Sequence, residues 1–152
     1  PALLMRMADA VGSQSVVAVL DVRRRSGLFG KGYELLTHNA RSSHKLDPFE
    51  FARQLQGAGA GEIVINSVDR DGEMSGYDLE LAKRMRDAVS LPLTVLGGAG
   101  SLADIEELIR QCGIVGAAAG SLFVFKGAYR AVLINYPTAE QKEALVRSAL
   151  AK

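Results

Sequence analysis

Four short apolar runs, at residues 16–21, 62–67, 91–96 and 116–119, are separated by segments with helical periodicity. Continuous runs of this length between turn residues are typical of buried strands, because a strand of a parallel sheet is covered on both faces. The first run ends in Asp21, and the fourth consists of small residues. The pattern therefore predicts four strands, the first of them covered on both faces.

Helical spacing of apolar residues fills the segments between these runs and both ends of the chain. Asp47 and Ser101 stand where N-cap residues are expected, and Pro48 begins the first turn after Asp47. The predicted helices cover residues 3–11, 47–58, 79–89, 101–111, 122–126 and 138–150. The chain is thus a helix followed by four strand-helix units, and this alternation requires parallel strands with right-handed crossovers.

Two architectures are compatible with this order of elements. One is an open flavodoxin-like sheet with helices on both faces, and the other is four units of an eight-unit barrel. For a chain of 152 residues, the pattern alone slightly favours the open sheet. After the first strand, Gly27, Gly30 and Gly32 indicate a long loop over residues 27–37 that contains a short hairpin. Loops of this length are usually functional.

Composition narrows the class of protein without identifying a function. The 18 basic and 17 acidic residues leave a net charge of +1, so the chain lacks the basic surface that nucleic acid requires. No apolar run reaches the ~18 residues of a membrane span, and the single cysteine, Cys112, excludes an internal disulfide. We therefore expect one cytoplasmic domain with no nucleic-acid or membrane partner. Because the chain begins with Pro1, we also expect it to lie in the middle of a longer gene product.

Acidic side chains follow the first two predicted strands, at the ends where parallel sheets place their chemistry. The turn after the second strand contains Asp69 and Asp71 on either side of Arg70. We expect one of these acids to pair with a basic residue and the other to face a pocket. Asp21 is suited either to capping a turn or to proton transfer, and spacing does not separate the two roles. The run Arg23–Arg25 is typical of a solvated basic patch.

Glycine-rich turns follow the third and fourth predicted strands. Gly97 and Gly98 precede one helix, and Gly120 and Ser121 precede a short one. Glycines let backbone N–H groups approach a phosphate, whose charge the helix dipole favours. Two such turns in consecutive units match the phosphate cradle of barrel enzymes, which changes the preferred architecture from the open sheet to the barrel. The two histidines lie apart from any cysteine or clustered acids, so no metal site is expected.

Together these motifs resemble the cyclase subunit of imidazole glycerol phosphate synthase, in the carboxyl-terminal half of that family's barrel. The resemblance rests on Asp21, on residues 67–78, and on the turns Gly97–Gly100 and Gly120–Phe125, in the family's order. It implies an α/β fold, the (β/α)4 half of a TIM (β/α)8 barrel of the ribulose-phosphate-binding type. Residues 1–152 would be one half-barrel domain of a chain of roughly 250 residues. No cofactor is implied.

The resemblance also implies roles for individual residues. Asp21 becomes the second of the family's two catalytic aspartates, acting as general acid and base during ring closure, and Asp71 assists it. Turn residues hold one terminal phosphate of a phosphorylated small-molecule substrate. Asn66 stands where the family usually has Thr, and Leu96 replaces a common Ser, which allows for a changed substrate, as in a paralogue associated with surface-polysaccharide genes. The substrate-binding set is Asn66, Gly72, Gly97, Gly98, Gly120 and Ser121.

The family's reaction takes ammonia and a bis-phosphorylated ribulosyl aminoimidazole compound and releases imidazole glycerol phosphate and an aminoimidazole carboxamide ribotide, in histidine biosynthesis. A glutaminase subunit supplies the ammonia in a heterodimer. The family's first four units carry the other catalytic aspartate, the second phosphate site and the ammonia gate. These 152 residues alone are therefore expected to be an inactive part of a lyase. The first and fourth strands are expected to be unpaired edges that favour self-association.

Two other functions stay open. One is a non-catalytic phosphate-binding half barrel that dimerises. The other is the sugar isomerase of the same pathway, whose turn also contains an Arg-Asp-Gly sequence. That isomerase usually has Ser before the Arg, whereas this chain has Asp69, so the cyclase is favoured.

Overall fold

A computed structural model describes residues 1–25, 32–127 and 129–151, which form a six-stranded sheet, a two-stranded hairpin and six α-helices. All the predicted helices and strands are present within a few residues. The strands are β1 (Val17–Arg24), β2 (Tyr33–Thr37), β3 (Ser42–His44), β4 (Glu62–Ser67), β5 (Leu93–Leu96), β6 (Gly116–Ala117), β7 (Phe125–Lys126) and β8 (Ala131–Val132). The helices are α1 (Ala2–Val11), α2 (Pro48–Gly57), α3 (Leu79–Ala88), α4 (Leu102–Cys112), α5 (Ser121–Val124) and α6 (Ala139–Leu150).

Four strands run parallel in the order β1-β4-β5-β6, and β2 and β3 continue the sheet antiparallel beyond β1. Each parallel strand lies beside the one that precedes it, always on the same side. With right-handed crossovers, this order places every connecting helix on one face of the sheet. A doubly wound sheet would instead reverse its direction at the middle. The topology is therefore that of consecutive barrel units, open among the described residues, and the predicted barrel-type fold is confirmed.

The two faces of the sheet differ in burial. Ile63 and Ile65 of β4 and Leu108 of α4 are fully buried between the sheet and its helices. On the opposite face, Val17 and Val19 of β1 are 50% and 62% exposed. The prediction that the first strand is covered on both faces is thus wrong for the described residues, because the crossovers bring helices to one face only.

Side-chain caps fix the starts of α2, α3 and α4, each of which follows a strand. Asp47 accepts hydrogen bonds from the backbone N–H groups of Phe49 and Glu50, at 2.8 and 3.0 Å. Ser101 and Asp104 form a reciprocal capping box at the start of α4. Such caps satisfy N–H groups that have no partner within the helix. The predicted N-caps at Asp47 and Ser101 are therefore confirmed.

β1 is longer than predicted, and its extension changes the role of the neighbouring arginines. The strand continues to Arg24, and its last four residues pair with β2. Arg23 donates a hydrogen bond to Glu34 at 2.7 Å, and Arg24 donates one to Asp78 at 3.0 Å. The side chains of Arg23 and Arg24 are partly solvated, as expected, with exposures of 40% and 49%, but each also forms an ion pair.

The prediction of open edges at the first and fourth strands is partly correct. β2 covers β1 from Asp21 onwards, whereas Val17–Leu20 pairs with β4 alone among the described residues. β6 lies at the other edge of the sheet, as predicted. β2 occupies residues 33–37 of the predicted long loop and forms a hairpin with β3, while residues 26–31 lie outside the described part of the chain.

The last strand-helix unit is shorter than predicted. β6 ends at Ala117 instead of residue 119, and α5 ends at Val124 because the chain turns there into the β7–β8 hairpin. The final helix α6 begins after Thr138, which forms a capping box with Gln141. In the described ranges, no helix has the length and apolar character needed to cross a membrane.

Candidate functional site

Three side chains form a row across the carboxyl ends of the parallel strands. Asp21 of β1 is in register with Asn66 of β4, and Asn66 is in register with Leu96 of β5. Side chains alternate between faces along a strand, and the neighbours of these residues are buried against the helices. The row therefore lies on the face that the helices leave open. Asn66 Nδ2 donates a hydrogen bond to Asp21 Oδ1 at 3.1 Å, so the structure brings two predicted site residues together.

Asp21 keeps one carboxylate oxygen for a ligand. Oδ1 accepts from Asn66, while Oδ2 has no hydrogen-bond partner within the described ranges. The side chain caps no turn, because β1 continues through it to Arg24. A cavity of about 250 Å³, lined mainly by apolar side chains such as Val19 and Leu36, opens beside it. Of the two roles considered for Asp21, the course of β1 excludes the turn cap, and proton transfer stays a prediction.

The two acids that flank Arg70 differ in their contacts. Asp69 Oδ2 accepts a hydrogen bond from the backbone N–H of Arg24 at 2.8 Å. This bond joins the turn over residues 67–78, called the acidic turn below, to the end of β1. Arg70 donates to two carbonyl oxygens within the turn. One acid thus pairs with a basic residue, as expected, but it does so through the backbone N–H of Arg24 and not through a charged side chain. Asp71 is exposed, and its carboxylate makes no hydrogen bond to another described residue, which leaves it available to a ligand.

Asp78, at the end of the turn over residues 67–78, is a buried carboxylate to which the sequence motifs assigned no role. It is 4% exposed and accepts hydrogen bonds from Arg24, from the Tyr33 hydroxyl and from the backbone N–H of Leu81. Burial alone raises the pKa of such a carboxyl, but these hydrogen bonds outweigh it and lower the pKa of Asp78 below its ordinary value. Burial, together with the same carboxylate, raises the pKa of the Tyr33 hydroxyl. Asp78 therefore joins β1, β2 and α3. Its place just before a helical pattern, where an N-cap residue is expected, is the signal that could have revealed this role.

Replacing Asp78 by Asn is expected to lower the free energy of unfolding at pH 7 by roughly 2–3 kcal/mol. Loss of one partner of a buried ion pair costs about 3–5 kcal/mol, and the 49% exposure of the Arg24 side chain reduces this. Because folding lowers the pKa of Asp78, its contribution is present above the unfolded carboxyl pKa of about 3.9 and is lost as pH falls through the folded value. Urea unfolding at pH 7 and pH 3 measures the difference, which should shrink at pH 3; an equal difference at both would contradict the assignment.

The acidic turn and the Gly97–Gly98 turn interlock. Gly98 has a φ of +108°, and a Cβ atom added to it would overlap the carbonyl oxygen of Gly76. The backbone N–H of Gly76 donates to the carbonyl oxygen of Gly98 at 2.8 Å. The close approach of the two turns therefore requires glycine at position 98.

The glycine turns lie at the same edge as the row of side chains. β5 and β6 are adjacent parallel strands, so the turn at Gly97 and Gly98 and the turn at Gly120 and Ser121 follow neighbouring strand ends. Gly72, in the acidic turn after β4, has no atom within 4 Å of its would-be Cβ position. Backbone N–H groups of such turns form sites for anions such as phosphate. The structure thus places the predicted phosphate-binding residues at one edge of the sheet.

A larger cavity, of about 400 Å³, lies on the other side of the acidic turn and is lined by neither Asp21 nor the glycine turns. Its charged lining is already paired within the protein. Arg24 bonds Asp78 and Glu80, and Asp104 accepts hydrogen bonds at the start of α4. The chemistry of the strand ends, rather than cavity size, therefore marks the candidate site.

Comparison with known proteins agrees with this architecture. The family model described as "Histidine biosynthesis protein" matches residues 1–130. A Vibrio vulnificus protein with the provisional name imidazole glycerol phosphate synthase subunit hisF3 is 51% identical over 146 residues. A Leptospira interrogans protein, provisionally named imidazole glycerol phosphate synthase subunit HisF, is 49% identical over 145 residues. A Hyphomonas neptunium protein named imidazole glycerol phosphate synthase subunit HisF is 39% identical over 125 residues.

These alignments cover most of this chain but a smaller part of each relative. In the same order, they include 95%, 95% and 82% of this chain, and 55%, 56% and 48% of the relative. The chain therefore spans about half the length of the curated relatives it matches. The resemblance found in the motifs is confirmed, for the part of those proteins that this chain covers.

Proposed function

Because this chain belongs to the histidine biosynthesis protein family, we propose that it supplies the carboxyl-terminal half of a barrel-shaped imidazole glycerol phosphate synthase cyclase. Three features support the proposal. The parallel strands follow the order of barrel units, the strand ends carry an acid beside glycine-rich turns, and relatives that share 39–51% identity are named as subunits of that synthase. As one half-barrel domain, the chain would take part in a lyase reaction of histidine biosynthesis.

The observation that carries the proposal is the position of Asp21. One carboxylate oxygen is held by Asn66, and the other faces the open side of the sheet with no partner among the described residues. A carboxylate held in this way can accept a proton from the reacting substrate and return it, which is what ring closure to an imidazole requires. Asp71, which is exposed in the turn after β4, would assist the proton transfer.

The glycine turns would hold one terminal phosphate of the bis-phosphorylated substrate. The binding groups are the backbone N–H groups at Gly72, Gly97, Gly98 and Gly120 together with Ser121. Side-by-side turns suit a tetrahedral anion, because several N–H donors can point at it from different directions. This contact positions the reactive part of the substrate at Asp21, since both lie along the same edge of the sheet.

Ammonia would come from a glutaminase subunit in a heterodimer, as the family resemblance implies. The word "subunit" in the relatives' names supports an assembly of more than one chain. The other catalytic aspartate and the second phosphate site would come from the first half of the barrel. Pairing of that half with the open part of β1, at Val17–Leu20, would cover the exposed face of the sheet and remove an edge that otherwise favours self-association.

Turnover by the complete gene product that contains these residues tests the proposal. With ammonium chloride and the phosphoribulosyl aminoimidazole substrate, we expect imidazole glycerol phosphate and the carboxamide ribotide in equal amounts. The 152-residue chain alone, at the same concentration, is expected to show no turnover, because it would lack the other catalytic aspartate. Turnover by the chain alone would contradict the half-barrel assignment.

The same assay separates the alternatives. Absence of both products from the complete gene product would reject the cyclase. Substrate binding without any product would then favour the non-catalytic phosphate-binding half barrel. An isomerised sugar phosphate formed without consumption of ammonia would favour the isomerase.

A further inference from the structure

Asn66 occupies a position that ordinary packing does not explain. It lies on the open face of the sheet, in register with Asp21 on one side and Leu96 on the other. Its Nδ2 group donates to Asp21 Oδ1 at 3.1 Å. The opposite assignment of the amide would place two oxygens against each other, so the nitrogen must face the carboxylate.

The other end of the same amide has no hydrogen bond. Asn66 Oδ1 is buried, and it has no partner among the described residues. It lies against Gly97, where an added Cβ would stand 3.0 Å from it. A buried acceptor without a donor lowers the stability of a protein, and such groups in a native structure call for an explanation. An apolar side chain of similar size would avoid this loss.

We infer that Asn66 is a positioning residue, which fixes the orientation of the Asp21 carboxylate by donating to one of its oxygens. This inference rests on the proposed function. The hydrogen bond engages Oδ1 of Asp21 and leaves Oδ2 of Asp21 free for the substrate. The buried Oδ1 of Asn66, which has no partner among the described residues, is the accompanying cost in stability. Direct recognition of the substrate by the amide is a different role, and the geometry disfavours it. Oδ1 is buried and Nδ2 is already engaged.

The test compares Asn66→Val and Asn66→Thr in the complete gene product. Val removes the donor and the unsatisfied acceptor together, whereas Thr keeps a hydroxyl that can donate. For Asn66→Val we expect kcat to fall about 10- to 100-fold, because small misplacement of a catalytic group costs up to about 100-fold in rate. KM should stay within about 2-fold, and the urea midpoint of unfolding should be equal or higher. Asn66→Thr should recover part of kcat.

An exposed asparagine provides the matched control. Asn135→Val makes the same chemical change at a side chain with no hydrogen bond among the described residues, and it should leave kcat unchanged. A readout independent of turnover is the side-chain amide NMR signal of Asn66, which should shift when Asp21 is replaced by Ala. A merely structural role would not combine a lower kcat with an undiminished unfolding midpoint.

The outcomes separate the inference from the proposed function. Unchanged kcat in Asn66→Val overturns the positioning role while the cyclase stands. A raised KM with unchanged kcat also overturns it, because Asn66 would then contact the substrate. Absence of turnover in the wild-type protein overturns the proposed function. The positioning role of Asn66 in catalysis is then overturned as well. An Asn66 signal that does not respond to Asp21→Ala overturns the contact itself.

Discussion

Asp21→Asn is expected to lower turnover with ammonia by about 100- to 10,000-fold, the range that a well-placed general acid or base contributes. The substitution keeps the size of the side chain and an oxygen that can accept from Asn66 Nδ2, so the geometry of the row should survive. It removes the ability to take up and return a proton. Initial rates of imidazole glycerol phosphate formation at saturating substrate, measured on the complete gene product, give the loss directly.

Asp69→Asn is the matched control for this prediction. It makes the same change at an acid on the same edge, but Asp69 accepts a hydrogen bond from the backbone of Arg24 and serves the structure. We expect less than a 10-fold loss of turnover, accompanied by a lower unfolding midpoint. If Asp21→Asn kept more than a tenth of wild-type turnover, Asp21 could not be the acid and base of the reaction.

Gly98→Ala is expected to destabilise the folded protein by about 2–5 kcal/mol. Two effects contribute to this destabilisation. A left-handed backbone costs a residue with a Cβ atom about 1–2 kcal/mol, and forcing extra atoms into packed surroundings costs about 1–3 kcal/mol. Both apply, because Gly98 has a φ of +108° and its Cβ would overlap the Gly76 carbonyl. Urea unfolding of wild type and variant measures the change.

Gly72→Ala separates the two effects. Gly72 also has a positive φ, +80°, but its added Cβ would meet no atom within 4 Å. Only the cost of the left-handed backbone applies, so we expect the free energy of unfolding to fall by about 1–2 kcal/mol. Equal losses in the two variants would show that the acidic turn and the glycine turn are not interlocked. Calorimetry with inorganic phosphate on Gly98→Ala should also show weaker binding, since the overlap moves one turn away from the other.

Local pattern was enough to predict most elements of the fold. The cap residues Asp47 and Ser101 predicted the starts of their helices because an N-cap satisfies N–H groups within a few residues of itself. The apolar run at 62–67 predicted β4 with its observed bounds, since a strand between two strands must bury side chains along its whole length. The end of β1 was predicted three residues early, because its extension depends on pairing with β2, which local sequence does not show.

In the candidate site, too, some features were predictable from local sequence and others depend on long-range contacts. Acids and glycines after strand ends were enough to predict which residues gather at the carboxyl edge of the sheet, because parallel strands bring their carboxyl ends together. The spacing of Asp69 and Asp71 did not show which of these two acids has a structural role. Asp69 and Asp71 differ only in that the folded chain brings the backbone N–H of Arg24 to the first of them. The burial of Asp78 likewise depends on Arg24 and Tyr33, which lie 54 and 45 residues away.

By itself, the sequence determined the order of the four parallel strands and the six helices and the family to which the chain belongs, since both depend on patterns within short segments and on motifs in a fixed order. Only the tertiary structure decided that the helices lie on one face, because the order of strands in the sheet is a property of long-range pairing. It also decided that Asn66 faces Asp21. The two residues are 45 positions apart, and the register of β1 with β4 brings them into contact.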